Sequence, residues 1–144
     1  MDSNLTRRRF LEGSAALLGV SLVGCGGKEP GAPQAVSGPG GSITLTGLAE
    51  IAPGSALAFD FPNGEPGLLY VTKSGKSGAV SAKCTHLGCT VEWNAEADEQ
   101  MPLRCPCHES FFSLDGTVLG GPAEAPLTRY VVTRSGSEAK LKPL

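Results

Sequence analysis

The chain has 144 residues, a length that suits one domain with a short leader and argues against catalysis in a crevice between large domains. A formal charge of −2 with 40% hydrophobic residues excludes both a nucleic-acid binder working through a basic surface and an acidic polyanion. Its 20 glycines and 11 prolines are too many for a helical bundle and too few for disorder throughout, while five cysteines are too few for a disulfide-dense scaffold and odd in number.

Residues 1–24 read as an export signal rather than as part of the fold. Arg7, Arg8 and Arg9 precede Phe10-Leu11 and a mostly apolar run from Gly13 to Gly24, and the block from Thr6 to Leu11 resembles a twin-arginine export motif. The run is shorter than the roughly 20 apolar residues that a spanning helix needs. Leu22-Val23-Gly24-Cys25 resembles a lipobox, which marks Cys25 for lipidation; several acyl chains there hold a protein firmly on a membrane surface. The alternatives are ordinary cleavage with Cys25 incidental, or a leader retained as a short anchor. Residues 25–42 are rich in glycine and proline, lack hydrophobic periodicity, and read as a flexible tether before a domain over residues 43–144.

From Ile43 onward the pattern is of short strands separated by turns. Ile43 to Thr46 alternates, Ala56 to Phe61 follows Pro53-Gly54, Leu68 to Thr72 is a compact apolar run, and Ala79 to Lys83 leads to a cysteine. Thr90 to Trp93 alternates again, and Leu103-Arg104 leads to a second cysteine group. Phe111–Leu114 and Thr117–Leu119 flank the turn signal Asp115-Gly116, and Tyr130–Thr133 and Ala139–Lys142 flank Ser135-Gly136. No stretch of this region has a helical period of any length, so the body is an antiparallel β structure, a sandwich or a small barrel.

Both histidines of the chain lie beside four of its five cysteines, in Cys84-Thr85-His86-Leu87-Gly88-Cys89 and Cys105-Pro106-Cys107-His108-Glu109-Ser110. Two short loops that each offer soft thiolate and borderline imidazole point to a metal site. A structural zinc needs only four of these six donors. A Cys-x-His loop paired with a Cys-x-x-His loop suits a two-iron centre better, with thiolates on one iron and imidazoles on the other.

These boxes, together with Phe112-Ser113-Leu114-Asp115-Gly116 and Gly120-Gly121-Pro122-Ala123, resemble the Rieske family over roughly Ala79 to Val132. The resemblance implies an all-β fold, an antiparallel β-sandwich with a small cluster-binding subdomain, and a 2Fe-2S cluster. It implies Cys84 and Cys105 on one iron, with His86 and His108 on the solvent-facing one. It also implies a disulfide between Cys89 and Cys107, which Rieske ferredoxins and ring-hydroxylating oxygenases lack and which an exported protein keeps oxidised. Ser110 matches a hydroxyl donor to a bridging sulfide, and Gly121-Pro122 matches the loop that covers the cluster. At position 112, high-potential members carry a tyrosine donor to a cysteine sulfur; here Phe112 stands there, which implies a lower potential. Quinol-oxidising members use the second-box imidazole, His108 by position, to hydrogen-bond the quinone.

The acidic stretch Glu92, Glu96, Asp98 and Glu99 reads as a solvated loop, with docking of a cationic partner as the alternative. The segment between the boxes is shorter than in many quinol-oxidising relatives. The chain is thus expected to be an exported, membrane-tethered one-electron carrier with no catalytic residue of its own, on the outer face of the cytoplasmic membrane. Its expected partners are a quinol or another donor and a c-type cytochrome or oxidase subunit. A quinol–cytochrome c oxidoreductase is its expected home, the small subunit of an arsenite-oxidase-like molybdenum enzyme the second. A zinc- or disulfide-stabilised extracellular binding domain is the rival from another class.

Overall fold

The computed structural model describes residues 31–96 and 101–144. The leader, Cys25, Asp98 and Glu99 lie outside the described residues. Eleven strands follow in chain order: β1 (Gln34–Ser37), β2 (Ile43–Thr46), β3 (Ser55–Asp60), β4 (Pro66–Val71), β5 (Ser77–Ser81), β6 (Glu92–Trp93), β7 (Leu103–Cys105), β8 (Ser110–Phe112), β9 (Val118–Gly120), β10 (Arg129–Ser135) and β11 (Glu138–Pro143). The first departure from the sequence expectation is at the beginning. The stretch expected as the second half of the tether contains β1, which pairs antiparallel with β2 from Gln34 opposite Thr46 to Ser37 opposite Ile43. Gly38, Pro39, Gly40 and Gly41 act as turn residues there: the Gly38 N–H donates to the Ser42 carbonyl and folds the chain back on itself. Pro33 is buried and Ala35 packs on the core, so this glycine- and proline-rich segment is a hairpin, not a linker.

Seven strands form an antiparallel sheet in the order β1-β2-β11-β10-β5-β4-β3, and β6-β7-β8-β9 form a second one. The larger sheet folds over on itself as a sandwich. Leu45 of β2 and Leu141 of β11 share one core with Phe59 of β3, Leu69 and Val71 of β4 and Ala79 of β5. Because side chains alternate along a strand, Leu68 and Tyr70 of β4 and Val80 of β5 point the other way. There they meet Leu103 of β7, Phe112 of β8, Val91 and Leu127 in a second core, whose members include Cys84 and Cys105. Both faces of β4 and β5 are therefore covered, which is why Leu68 to Val71 reads as a continuous apolar run. This common wall carries the small sheet and its loops.

Candidate metal centre

Each cysteine–histidine box is the loop of a hairpin. In the first, the Cys84 N–H donates to the Cys89 carbonyl at 2.8 Å and the Gly88 N–H to the Cys84 carbonyl at 2.9 Å, while Lys83 pairs with Thr90 just outside. Gly88 closes this loop with φ 79°, a left-handed conformation that glycine adopts without steric cost. The second box is the turn between β7 and β8, closed where Cys105 pairs with Ser110. A disulfide between Cys89 and Cys107 joins the two loops. Cys84 and Cys105 remain free thiols and are both buried. The Cys105 sulfur lies within 4.8 Å of both disulfide sulfurs, but those two are committed to each other.

The four remaining donors separate by depth. Cys84 is 3% exposed and Cys105 1%, whereas His86 is half-buried and His108 exposed. The two imidazoles meet edge-on with ring centroids 4.7 Å apart. Burial is the main cause that pushes the Cys105 thiol up, and its contact with Cys84 adds to the effect. His86 Nδ1 is buried without a hydrogen-bond partner. A buried orphan nitrogen is costly, and a metal ion that takes its lone pair removes the cost.

A third loop, residues 121–125, packs against both boxes. Thr85 Oγ1 donates to the Ala125 carbonyl at 2.6 Å, and the Ala123 N–H donates to Ser110 Oγ at 3.2 Å. Ser110 is wholly buried, and with its oxygen occupied as acceptor its hydroxyl hydrogen is left to donate. Gly121 has φ 87°, and a Cβ there would meet Ser110 Cα at 2.6 Å, so only glycine lets this loop lie flat on the second box. Pro122 is exposed beside it, and Phe112 is fully buried in the cluster-side core. The acidic stretch reaches the described residues only at Glu92 and Glu96, both exposed; Glu92 lies on β6 rather than in a loop, and Glu96 in the turn that follows.

All the site residues expected from the sequence within the described region thus come to one end of the small sheet. The Rieske 2Fe-2S domain family matches residues 45–131 of this chain. The chain belongs to the Rieske family. It takes a 2Fe-2S cluster of Rieske type, which decides against the structural zinc. The donor set suits that group, with two buried thiols, two imidazoles at the rim and an orphan histidine nitrogen among them. The chain is 40% identical over 88 residues to the cytochrome b6-f complex iron-sulfur subunit of Chlorobaculum thiosulfatiphilum, covering 61% of this chain and 46% of that protein. It is 44% identical over 63 residues to the menaquinol:cytochrome c reductase iron-sulfur subunit of Geobacillus thermodenitrificans, 43% and 37% of the two chains. Among solved structures, the plasma membrane Rieske protein of Synechocystis PCC 6803 superposes with a TM-score of 0.51 at 34% identity, over 60% of this chain and 85% of that one. The chain spans about half the length of the first curated relatives it matches.

Two features escaped sequence inspection. Arg104 and Glu109 form a two-pronged ion pair beside the second box, and Thr85 ties the first box to the third loop. A separation of five residues carries no contact signal until the hairpin register is known, and the Thr85 bond spans 40 positions.

Proposed function

We propose that this protein is a one-electron carrier, the iron–sulfur subunit of a quinol–cytochrome c oxidoreductase-like complex, exported and held to the outer face of the cytoplasmic membrane. Cys84, Cys105, His86 and His108 hold the cluster. When bound, it accepts one electron at a higher potential than an all-cysteine cluster, because neutral imidazoles replace anionic thiolates. The observation that carries the reading is the depth order of the donors: thiols at the back, His86 at the rim and His108 exposed to a partner.

His108 offers an exposed imidazole that can hydrogen-bond a hydroquinone and take its proton. The Ser110 hydroxyl accepts from the Ala123 N–H and keeps its hydrogen for donation to a bound cluster, which would favour added negative charge there. The disulfide ties the two loops together, and the 121–125 loop is hydrogen-bonded to the second box through the Ala123 N–H. Quinol oxidation and a haem acceptor are supported by the relatives, two of which are subunits of a cytochrome b6-f complex and a menaquinol:cytochrome c reductase. The Thr6–Leu11 and Leu22–Cys25 motifs support twin-arginine export and a lipid anchor. No helix among the described residues is long and apolar enough to cross a membrane.

The test is a redox titration of the purified protein, followed by addition of a menaquinol and a c-type cytochrome in the presence of membranes from its source. The expected result is a reducible Rieske spectrum and quinol-dependent reduction. A colourless protein that contains zinc, or a cluster reduced by a molybdenum oxidase and never by quinol, would overturn the reading. Mass spectrometry of the N-terminal peptide tests the anchor separately, with acyl chains expected on Cys25.

A further inference from the structure

Among the described residues, Glu109 is the single non-glycine with a left-handed backbone, φ 57°, and it directly follows His108. That conformation crowds a side chain's Cβ against the backbone and persists only where the surroundings enforce it. Here they do so from two sides. Arg104 grips the Glu109 carboxylate with both prongs of its guanidinium, Nε to Oε2 at 3.0 Å and Nη2 to Oε1 at 2.5 Å. A two-pronged contact of this kind sets the plane of the carboxylate as well as its position. On the other side, Gly121 lies against the Glu109 carbonyl and Ser110 Cα, where any Cβ would collide.

Arg104 is itself well placed to act as the fixed end. It sits in the middle of β7, paired with Glu92 of β6 on one side and Phe111 of β8 on the other, and the next residue is Cys105. Although Glu92 stands opposite it in register, the two-pronged contact goes to Glu109. The pair therefore connects the strand that carries a buried thiol to the turn that carries the exposed imidazole.

We propose that Arg104 and Glu109 form a clamp that positions His108, by holding residue 109 in a left-handed turn that its side chain disfavours. The proposal rests on the reading that His108 holds the cluster. Arg104 and Glu109 are positioning residues, and the consequence is a specific non-additivity. Removing the arginine leaves a strained glutamate held only from the Gly121 side. A glycine at 109 adopts the same backbone freely and makes the arginine dispensable.

The experiment compares the full-length, cluster-loaded protein with Arg104→Ala, Glu109→Gly and the double variant. Three signals are followed: visible circular dichroism of the cluster, the rate at which cluster absorbance bleaches, and hydrogen exchange across residues 106–111. Arg104→Ala is expected to alter the dichroism, raise exchange in that turn and speed bleaching several-fold. Glu109→Gly stays near the parent, and the double variant returns to it in all three. An Arg104→Ala variant indistinguishable from the parent overturns the proposal, as does a double variant that behaves like Arg104→Ala alone. Should Arg104→Ala hold no cluster at all, recovery of the cluster in the double variant supports the clamp and failure to recover overturns it. If His108→Ala keeps an unchanged Rieske spectrum, the ligand reading fails, whereas exchange in the turn of the Arg104 variants still reports on the clamp.

Discussion

The cores on the two faces of β4 and β5 are built from different materials. The scaffold core joins strands of four to seven residues through Leu45, Phe59, Leu69 and Leu141, with no polar side chain among its buried described residues. The core on the other face joins strands of two and three residues and contains Cys84 and Cys105, with the buried Ser110 beside them. A sheet with so little ladder and two buried thiols needs other ties, and it has a disulfide, a third loop bonded to both boxes, and the cluster. Stability is thus concentrated in the sandwich, while the site sits on a part held by cross-links.

The most severe test of that division is loss of the cluster. Cys84→Ser or Cys105→Ser should abolish the visible spectrum, and hydrogen exchange should rise in β6 to β9 and the boxes while β2, β10 and β11 stay protected. If exchange rises equally in both sheets, the scaffold is not independent and the comparison breaks. Next comes Leu69→Ala in the scaffold core, where truncation of a fully buried leucine costs about 2–5 kcal/mol in chemical denaturation. Here the spectrum should persist until the whole domain unfolds. Opening the disulfide with Cys89→Ser should cost about 3 kcal/mol, the order expected for a closed loop of this size. That loss should fall on the cluster side first, seen as bleaching at a temperature below scaffold melting.

Smaller effects concern tuning. Ser110→Ala removes a buried hydroxyl and should lower the midpoint potential, and Phe112→Tyr should raise it, each on the order of tens of millivolts, the scale of one hydrogen bond to a charged group. An unchanged midpoint in both would remove these positions from the account of the potential. The smallest effect is acid sensitivity of the scaffold and its loops. The Lys83 ammonium, by its hydrogen bond, holds the Glu65 carboxyl below the usual range, and the Ser113 hydroxyl does the same chiefly for Asp115. Since the folded values are depressed, the stabilisation is present above the carboxylates' usual range near 4 and is lost as pH falls through the lowered values. Thermal melts should therefore weaken below about pH 4, and less so in Glu65→Gln. Both groups are exposed, so the change is slight.

Much of the fold was legible because alternation and turn residues act locally. Strands β2 to β5 and β10 to β11 lie within a residue or two of their sequence positions, and Gly136 takes the left-handed turn expected between the last two. The β1 hairpin was not, since Gly-Pro-rich composition serves linkers and tight turns alike and only the pairing with β2 separates them. The site was legible where one loop supplies the chemistry, as in Cys84-Thr85-His86. It was illegible where a contact depends on register, as between Arg104 and Glu109.

By itself, the sequence determined which donors exist and how they are spaced within each loop, and the resemblance of those motifs to the Rieske family implied the cofactor. Only the tertiary structure decided their relation to one another: how deeply each thiol is buried, that the two imidazoles meet edge-on, and that residue 109 is left-handed and ion-paired to Arg104. The reason is physical. Spacing within a hairpin loop is set by a few local dihedrals, whereas depth and contact between loops are set by how the small sheet packs on β4 and β5.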